Sequence, residues 1–328
     1  MADKKFARTG YLVLILLGLA GCTSHEQPVA FVYGGKSYGA LQAAQQQQLA
    51  DFRRTSVWQP VTRQGRQGEL EDQLYNGYLL ASKMNARYFY TAPNCVDGRP
   101  AYYCNGVILR RVQADPERHA WNPSEGSIAN DSVAFTYVRA DTGITVLIRR
   151  GPVYTVKELA AAAAHPLQPK CIFPIDGYTI DRPDGCGQSP GEPLSGNCFA
   201  QGIDTVEKWQ AFFKNNFGNW QQCSFSVDLL QFQFSIDVRA HFPPGSEWYR
   251  EAFNELVMKS WPQDIPTQLP LESFIFDGTG PLADTQFIQR DYYNVTQRFL
   301  PILRMNLSAT DRQIFSYFPE DQDVAVPR

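Results

Sequence analysis

The sequence predicts an α+β fold, a single disulfide-stabilised domain in which helices flank a mixed or antiparallel sheet. Three observations carry this. Leu70, Leu74, Tyr78 and Ala81 recur at helical spacing, β-branched and aromatic residues crowd 101–112 and 132–139, and Cys95, Cys104, Cys171, Cys186, Cys198 and Cys223 form an even set. Hydrophobic residues at 44% and aromatics at 13% supply a packed core rather than a disordered chain.

In chain order, the first helix runs from Gly68 to Arg87, with acids early and Lys83 and Arg87 late, as the helix dipole favours. Strands follow over Ala101–Val112, Ser132–Arg139 and Thr145–Arg149. Val156–Ala164 reads as a short Ala-rich helix stopped by Pro166, and Cys171–Gly202 as a stapled loop too rich in Pro and Gly for regular structure. Asp204 or Thr205 caps a helix to about Phe217, with Trp209, Phe212 and Phe213 on its buried side. A strand over Leu229–Val238 and a helix from a Ser246 cap to Trp261 come next. The chain closes with a strand at Leu271–Phe276, a helix at Leu282–Gln297 and a strand at Ile302–Leu307.

The six cysteines predict three disulfides, and short loops favour sequential pairing: Cys95–Cys104, Cys171–Cys186 and Cys198–Cys223. The competing zinc reading lacks a C-x-x-C pair or a closely spaced His, so no metal is expected.

At the amino end, Lys4, Lys5 and Arg8 precede an apolar run, Tyr11–Leu17, too short to span a bilayer, and Leu19-Ala20-Gly21-Cys22 follows. Residues 1–21 therefore read as a secretory signal peptide. With Cys directly after Gly21, the leader resembles those of bacterial lipoproteins. That resemblance implies acylation (diacylglycerol, then an amide-linked chain such as palmitate) at Cys22 and anchorage in the cell envelope. Thr23 in place of an inner-membrane-retaining Asp favours the outer membrane, on its periplasmic face or at the surface. Residues 22–50, with a Gln45–Gln48 run, read as a lipidated tether, 51–94 as an N-terminal helical segment and 95–328 as the α+β domain.

Removing Lys4, Lys5 and Arg8 from 30 basic residues, and Asp3 from 33 acidic ones, leaves 27 against 32, a net −5 with His neutral. That balance argues against a nucleic-acid partner. Gly187-Gln188-Ser189-Pro190-Gly191 matches the hydrolase G-x-S-x-G elbow in letters only. It sits in a Cys-rich loop, and Pro190 lacks the N–H an oxyanion hole needs. Asp176, Asp181 and Asp184 lack calcium-loop spacing, His25, His119, His165 and His241 stand apart, and no phosphate-binding glycine loop is present.

The stretch that stands out is His119-Ala120-Trp121-Asn122-Pro123-Ser124, an imidazole, an indole, a carboxamide and a hydroxyl in one turn. It reads either as a binding surface with an exposed Trp, or as a Trp that plugs the core. Together with the Cys104–Arg110 strand, Phe135-Thr136-Tyr137-Val138-Arg139, Phe253-Asn254-Glu255, Gln289-x-Asp291-Tyr292-Tyr293 and Pro301-Ile302-Leu303-Arg304, it resembles the halovibrins. These are secreted bacterial proteins related to NAD-consuming ADP-ribosyltransferases and NAD glycohydrolases. The resemblance implies cleavage of NAD, as substrate rather than cofactor, to nicotinamide and ADP-ribose. It implies Arg110 as the pyrophosphate clamp, Trp121 stacked on nicotinamide, and His119, Asn122, Ser124 and Gln289 around ribose or amide. Asp291 or Glu255 would be the catalytic carboxylate, with His119 as a further catalytic residue. The transferase Gln/Glu-x-Glu is missing from the late strands: Glu69-Leu70-Glu71 lies upstream on a helix, and Arg111 follows Arg110 where the family has Gly. Glu255 and Lys259 also read as a plain exposed helix pair. The alternative is therefore a non-enzymatic envelope lipoprotein that binds a partner, a glycan or a host surface.

Overall fold

The computed structural model describes residues 67–112, 119–121, 123–144, 147, 151–157, 159, 167–177, 182–187, 196–216, 222–241, 253–260, 270–296 and 298–323. The architecture is α+β, as expected. Among the described residues, nine strands form one sheet: β1 (Val107–Arg111), β2 (Val133–Val138), β3 (Val153–Val156), β4 (Pro169–Phe173), β5 (Phe225–Ser226), β6 (Glu255–Met258), β7 (Leu271–Phe276), β8 (Ile302–Met305) and β9 (Phe315–Tyr317). Their spatial order is β5-β4-β6-β2-β1-β3-β7-β8-β9. Every neighbouring pair is antiparallel except β7 and β8. That parallel pair needs a crossover, which a helix supplies. The helices are α1 (Gln67–Phe89), α2 (Glu125–Ala129), α3 (Val206–Asn216), α4 (Leu229–Ala240) and α5 (Leu282–Thr296), the last being that crossover.

Among the described residues, alternation along the strands builds two large cores and a small cluster of Cys171, Phe173 and Val257. Ile108, Phe135, Tyr137, Tyr154, Leu256 and Phe274 face one side, where Trp209, Phe212 and Phe213 of α3, Phe232 and Ile236 of α4, and Ile288 and Tyr292 of α5 cover them. Val107, Leu109, Val138, Val153, Ile275 and Leu303 face the other, under Ala81, Met84 and Tyr88 of α1. Hydrogen bonds fix α1 in register: Asn85 Nδ2 donates to the Phe315 carbonyl at 2.7 Å, and Phe315 N–H returns a bond to Asn85 Oδ1 at 3.0 Å.

The three disulfides join Cys95 to Cys104, Cys171 to Cys186 and Cys198 to Cys223, the sequential pairing. Helix α3 also follows the sequence, with Thr205 Oγ1 accepting from Lys208 N–H at its start and Trp209 fully buried.

Several elements differ from expectation. Residues Leu229–Val238 are helical, because Asp228 caps the first turn by accepting from Gln231 N–H at 2.9 Å and because Phe232, Ser235, Ile236 and Arg239 bury at helical spacing. Within the expected Ser246–Trp261 helix, Glu255–Met258 is a central strand, all four residues buried and paired on both sides by β2 and β4. Residues 246–252 lie outside the described residues. The expected Cys171–Gly202 loop opens inside β4, and the expected Val156 helix start is the end of β3, whose Val153–Val156 run is wholly buried. The expected strand at Ala101 begins with a 3-10 turn over Ala101–Tyr103. Residues 145, 146 and 148–150 lie outside the described residues, as do 160–166.

Candidate functional site

On β1, Arg110 shares a face with Ile108, the face of the larger core. It pairs across the sheet with Tyr154 of β3, and its guanidinium lies 6.0 Å from the ring centre of Phe135 on β2. Tyr154 is fully buried. Burial pushes its phenol up to about 12, against the pull of the Arg110 guanidinium, which sits within hydrogen-bonding reach. The Tyr154 hydroxyl then donates a long bond, 3.4 Å, to the Trp121 carbonyl.

Trp121 is sealed from solvent at 0% exposure. The His119 ring stacks on it, centroids 4.7 Å apart at 10°, and the Tyr292 ring meets it edge-on at 5.5 Å. Trp121 Nε1–H donates to Asp291 Oδ2 at 3.0 Å. Asp291 projects from α5 and also receives His119 Nδ1, at 2.9 Å to Oδ1 and 2.8 Å to Oδ2. An ionised carboxylate can only accept, so it holds the Nδ1–H tautomer and leaves Nε2 as the basic nitrogen of the neutral ring. The pair stays in contact with water, its side chains 42% and 24% exposed. A partly exposed imidazole oriented by a carboxylate is the arrangement used for general acid–base transfer.

The other candidates fall elsewhere. Glu255 is not on an exposed helix facing Lys259. It is buried in β6, and Gly177 N–H donates to its Oε2. By strand alternation it faces the same side as Val257, opposite the Leu256 and Met258 that share a core with Trp121. It is therefore separated from Asp291 by the sheet. Gln289 is 2% exposed and is bonded at both ends of its amide, donating to the Leu300 carbonyl and Gln322 Oε1 and accepting from Asp323 N–H. It fastens the carboxyl-terminal segment and presents nothing to a ligand. Ser124 caps α2, its Oγ accepting from Ser127 N–H at 3.2 Å. Asn122 and Cys22 lie outside the described residues, as do Asp181 and Ser189. Trp121 offers no open face for stacking, so the core-plugging alternative describes it and the nicotinamide-stacking role is corrected. Arg111 turns to the opposite face, where it pairs with Asp277 and donates to the Gly151 carbonyl and Thr279 Oγ1.

Sequence reasoning missed Tyr154, the link between Arg110 and the His119 turn. Its Val-Tyr-Thr-Val run carried a strand signal that the neighbouring alanines obscured. A cavity of about 750 Å³ lies at β7–β9, lined by Phe276, Asp277, Arg304, Asn306, Gln313 and Phe318 among others. Neither Arg110, His119 nor Asp291 reaches it, and its charged groups are engaged, Asp277 with Arg111, Arg304 with Asp321, and Asp311 with the Gln313 N–H. Among the described residues, no three His, Cys, Asp or Glu side chains are grouped to hold a metal, and no helix is long and apolar enough to cross a membrane. No protein-family model matches the chain, and no curated protein matches it.

Proposed function

We propose that this chain is an exported, lipid-anchored envelope protein that hydrolyses NAD to nicotinamide and ADP-ribose. In this reading His119, held by Asp291, is the general base and Arg110 the pyrophosphate clamp. The observation that carries it is the His119–Asp291 pair, two residues 172 positions apart whose side chains meet at the surface.

The chemistry suits one such pair. Cleaving an ordinary glycoside takes an acid for the leaving oxygen as well as a base or nucleophile. The nicotinamide of NAD is already a cation and departs neutral when its C1′–N bond breaks, so no acid is required. Water adds to the ribosyl cation at C1′, and its proton passes to His119 Nε2. Asp291 stabilises the resulting imidazolium, which then releases that proton to solvent. Asp291 itself is a poor nucleophile, because His119 and Trp121 already occupy its oxygens. Arg110 supplies the bidentate cation a pyrophosphate needs.

The test incubates the full chain, solubilised in detergent, with NAD and measures free nicotinamide. Release abolished in His119→Ala, and strongly reduced in Arg110→Ala, supports the reading; no release above blank from the unmodified chain ends it. A second reading, an envelope binding module for a partner, glycan or host surface, is favoured by the complete burial of Trp121. There the Asp291 contacts are a fastener between the 119–121 turn and α5. In that case His119→Gln changes thermal stability while no NAD is consumed.

A further inference from the structure

We infer that Phe287 is the platform for the planar ring of the substrate, an inference that rests on the reading just given. A pyridinium ring at C1′ needs an aromatic face beside the base, and Trp121 has none open, since the core encloses it and His119 lies on it. Helix α5 provides one. Phe287 is 54% exposed, the one exposed Phe among the described residues. It lies four residues before Asp291, and Val295, 38% exposed, lies four residues after. Spacing by four puts all three on one helix face, with successive Cβ atoms about 5–6 Å apart.

Helical side chains lean toward the amino end, so the Asp291 carboxylate is carried over the turn that bears Phe287. The surface next to the acid–base pair is therefore an aromatic ring on one side and an aliphatic side chain on the other. Such a strip fits a flat heteroaromatic group rather than a sugar hydroxyl. A cationic ring gains from lying on the π face, and that gain disappears when the ring leaves as neutral nicotinamide. Phe287 thus holds the substrate more tightly than the product. Phe287 is also dispensable to the two cores, neither of which includes it, so its substitution reads out binding rather than folding.

The experiment measures KM and kcat for NAD in Phe287→Ala, Phe287→Trp and the control Leu230→Ala, an exposed residue on α4. Phe287→Ala is expected to raise KM about tenfold without lowering kcat, with Phe287→Trp restoring KM and Leu230→Ala changing neither. In parallel, saturation-transfer NMR with NAD on the full chain reads the approach of the nicotinamide ring directly, and that signal should vanish in Phe287→Ala. A chain that cleaves NAD with the same KM in Phe287→Ala overturns the platform and leaves the hydrolase reading standing. A chain that cleaves no NAD overturns the hydrolase reading. The NMR arm then decides the platform: a nicotinamide signal that Phe287→Ala abolishes sustains it, and no such signal in the unmodified chain overturns it.

Discussion

Tyr154 donates its hydroxyl to the Trp121 carbonyl at 3.4 Å, and so ties the centre of the sheet to the turn that carries His119. The phenol is buried and held up at about 12, against an ordinary value of 10.0. Between those values the folded chain keeps a proton that the unfolded chain has lost. Stability is therefore full below pH 10 and falls as pH rises toward 12, by about 1.4 kcal/mol per pH unit for this one group. Burial raises Tyr102, Tyr137 and Tyr317 in the same direction, so the total slope is steeper. Urea unfolding at pH 9, 10 and 11 should show the decline, with about one proton less of slope in Tyr154→Phe.

Asp291→Asn separates acid–base chemistry from structure. The amide oxygen still accepts from Trp121 Nε1–H, so the buried indole keeps its partner and the melting temperature changes little. The amide nitrogen, however, is a donor facing His119 Nδ1, which favours the opposite tautomer and puts a proton on Nε2. Turnover in the proposed NAD hydrolysis should fall by up to about 10⁴-fold, the scale seen when an orienting carboxylate is replaced in a catalytic triad. Asp291→Ala should lose similar activity and also about 1–3 kcal/mol of stability, because Trp121 Nε1 is then buried without an acceptor. Equal melting temperatures for the two variants would contradict the indole contact.

The Cys171–Cys186 disulfide spans 15 residues and closes the loop whose Gly177 N–H binds Glu255 on β6. Arg182 within the same loop donates to the Gly177 and Gly187 carbonyls and lies over the Phe173 ring, 4.9 Å from its centre. Replacing both cysteines by Ala should cost about 3 kcal/mol. The loss should exceed that if Glu255 is left buried without its Gly177 donor. Denaturant unfolding of the double variant, with hydrogen exchange at Gly177, measures both effects. The proposed NAD hydrolysis should survive, since Glu255 is on the far side of the sheet from Asp291.

Much of this fold was legible because its signals are local. The cysteine pairs close short loops, and the α3 helix announces itself with a Thr205 cap and a Trp209, Phe212, Phe213 stripe. The failures have local causes too. Leu229–Val238 alternates Phe with Gln like a strand, and the Asp228 cap that selects the helix is one residue outside the run. Glu255–Met258 is a short, wholly buried run whose periodicity cannot separate strand from helix, and Lys259 four residues after Glu255 mimicked a helix pair. At the site, His119 stood out within its turn while Asp291 was named only through the resemblance, and their contact spans 172 residues, which no local pattern encodes. Whether Trp121 faced water or core depended on the packing of α5 against β7, which composition does not specify.

Gly77 shows how closely α1 is set against the sheet. A Cβ built there would lie 2.5 Å from the Tyr317 ring, which also meets Tyr78 edge-on at 4.9 Å. Tyr317 is 5% exposed at the end of the edge strand β9, so neither ring nor backbone has free space in which to yield. Gly77→Ala improves intrinsic helix propensity by about 1 kcal/mol, and on an isolated helix it would stabilise. Here the clash forces α1 away from β9, at a cost of about 1–3 kcal/mol for an overpacked core, which outweighs that gain. The expected result is a net destabilisation, with faster hydrogen exchange at Phe315, whose N–H is bonded to Asn85 of the same helix. The partner substitution Tyr317→Leu, made together with Gly77→Ala, should recover part of the loss by removing the ring edge. A stabilised Gly77→Ala protein would mean that α1 does not pack against β9.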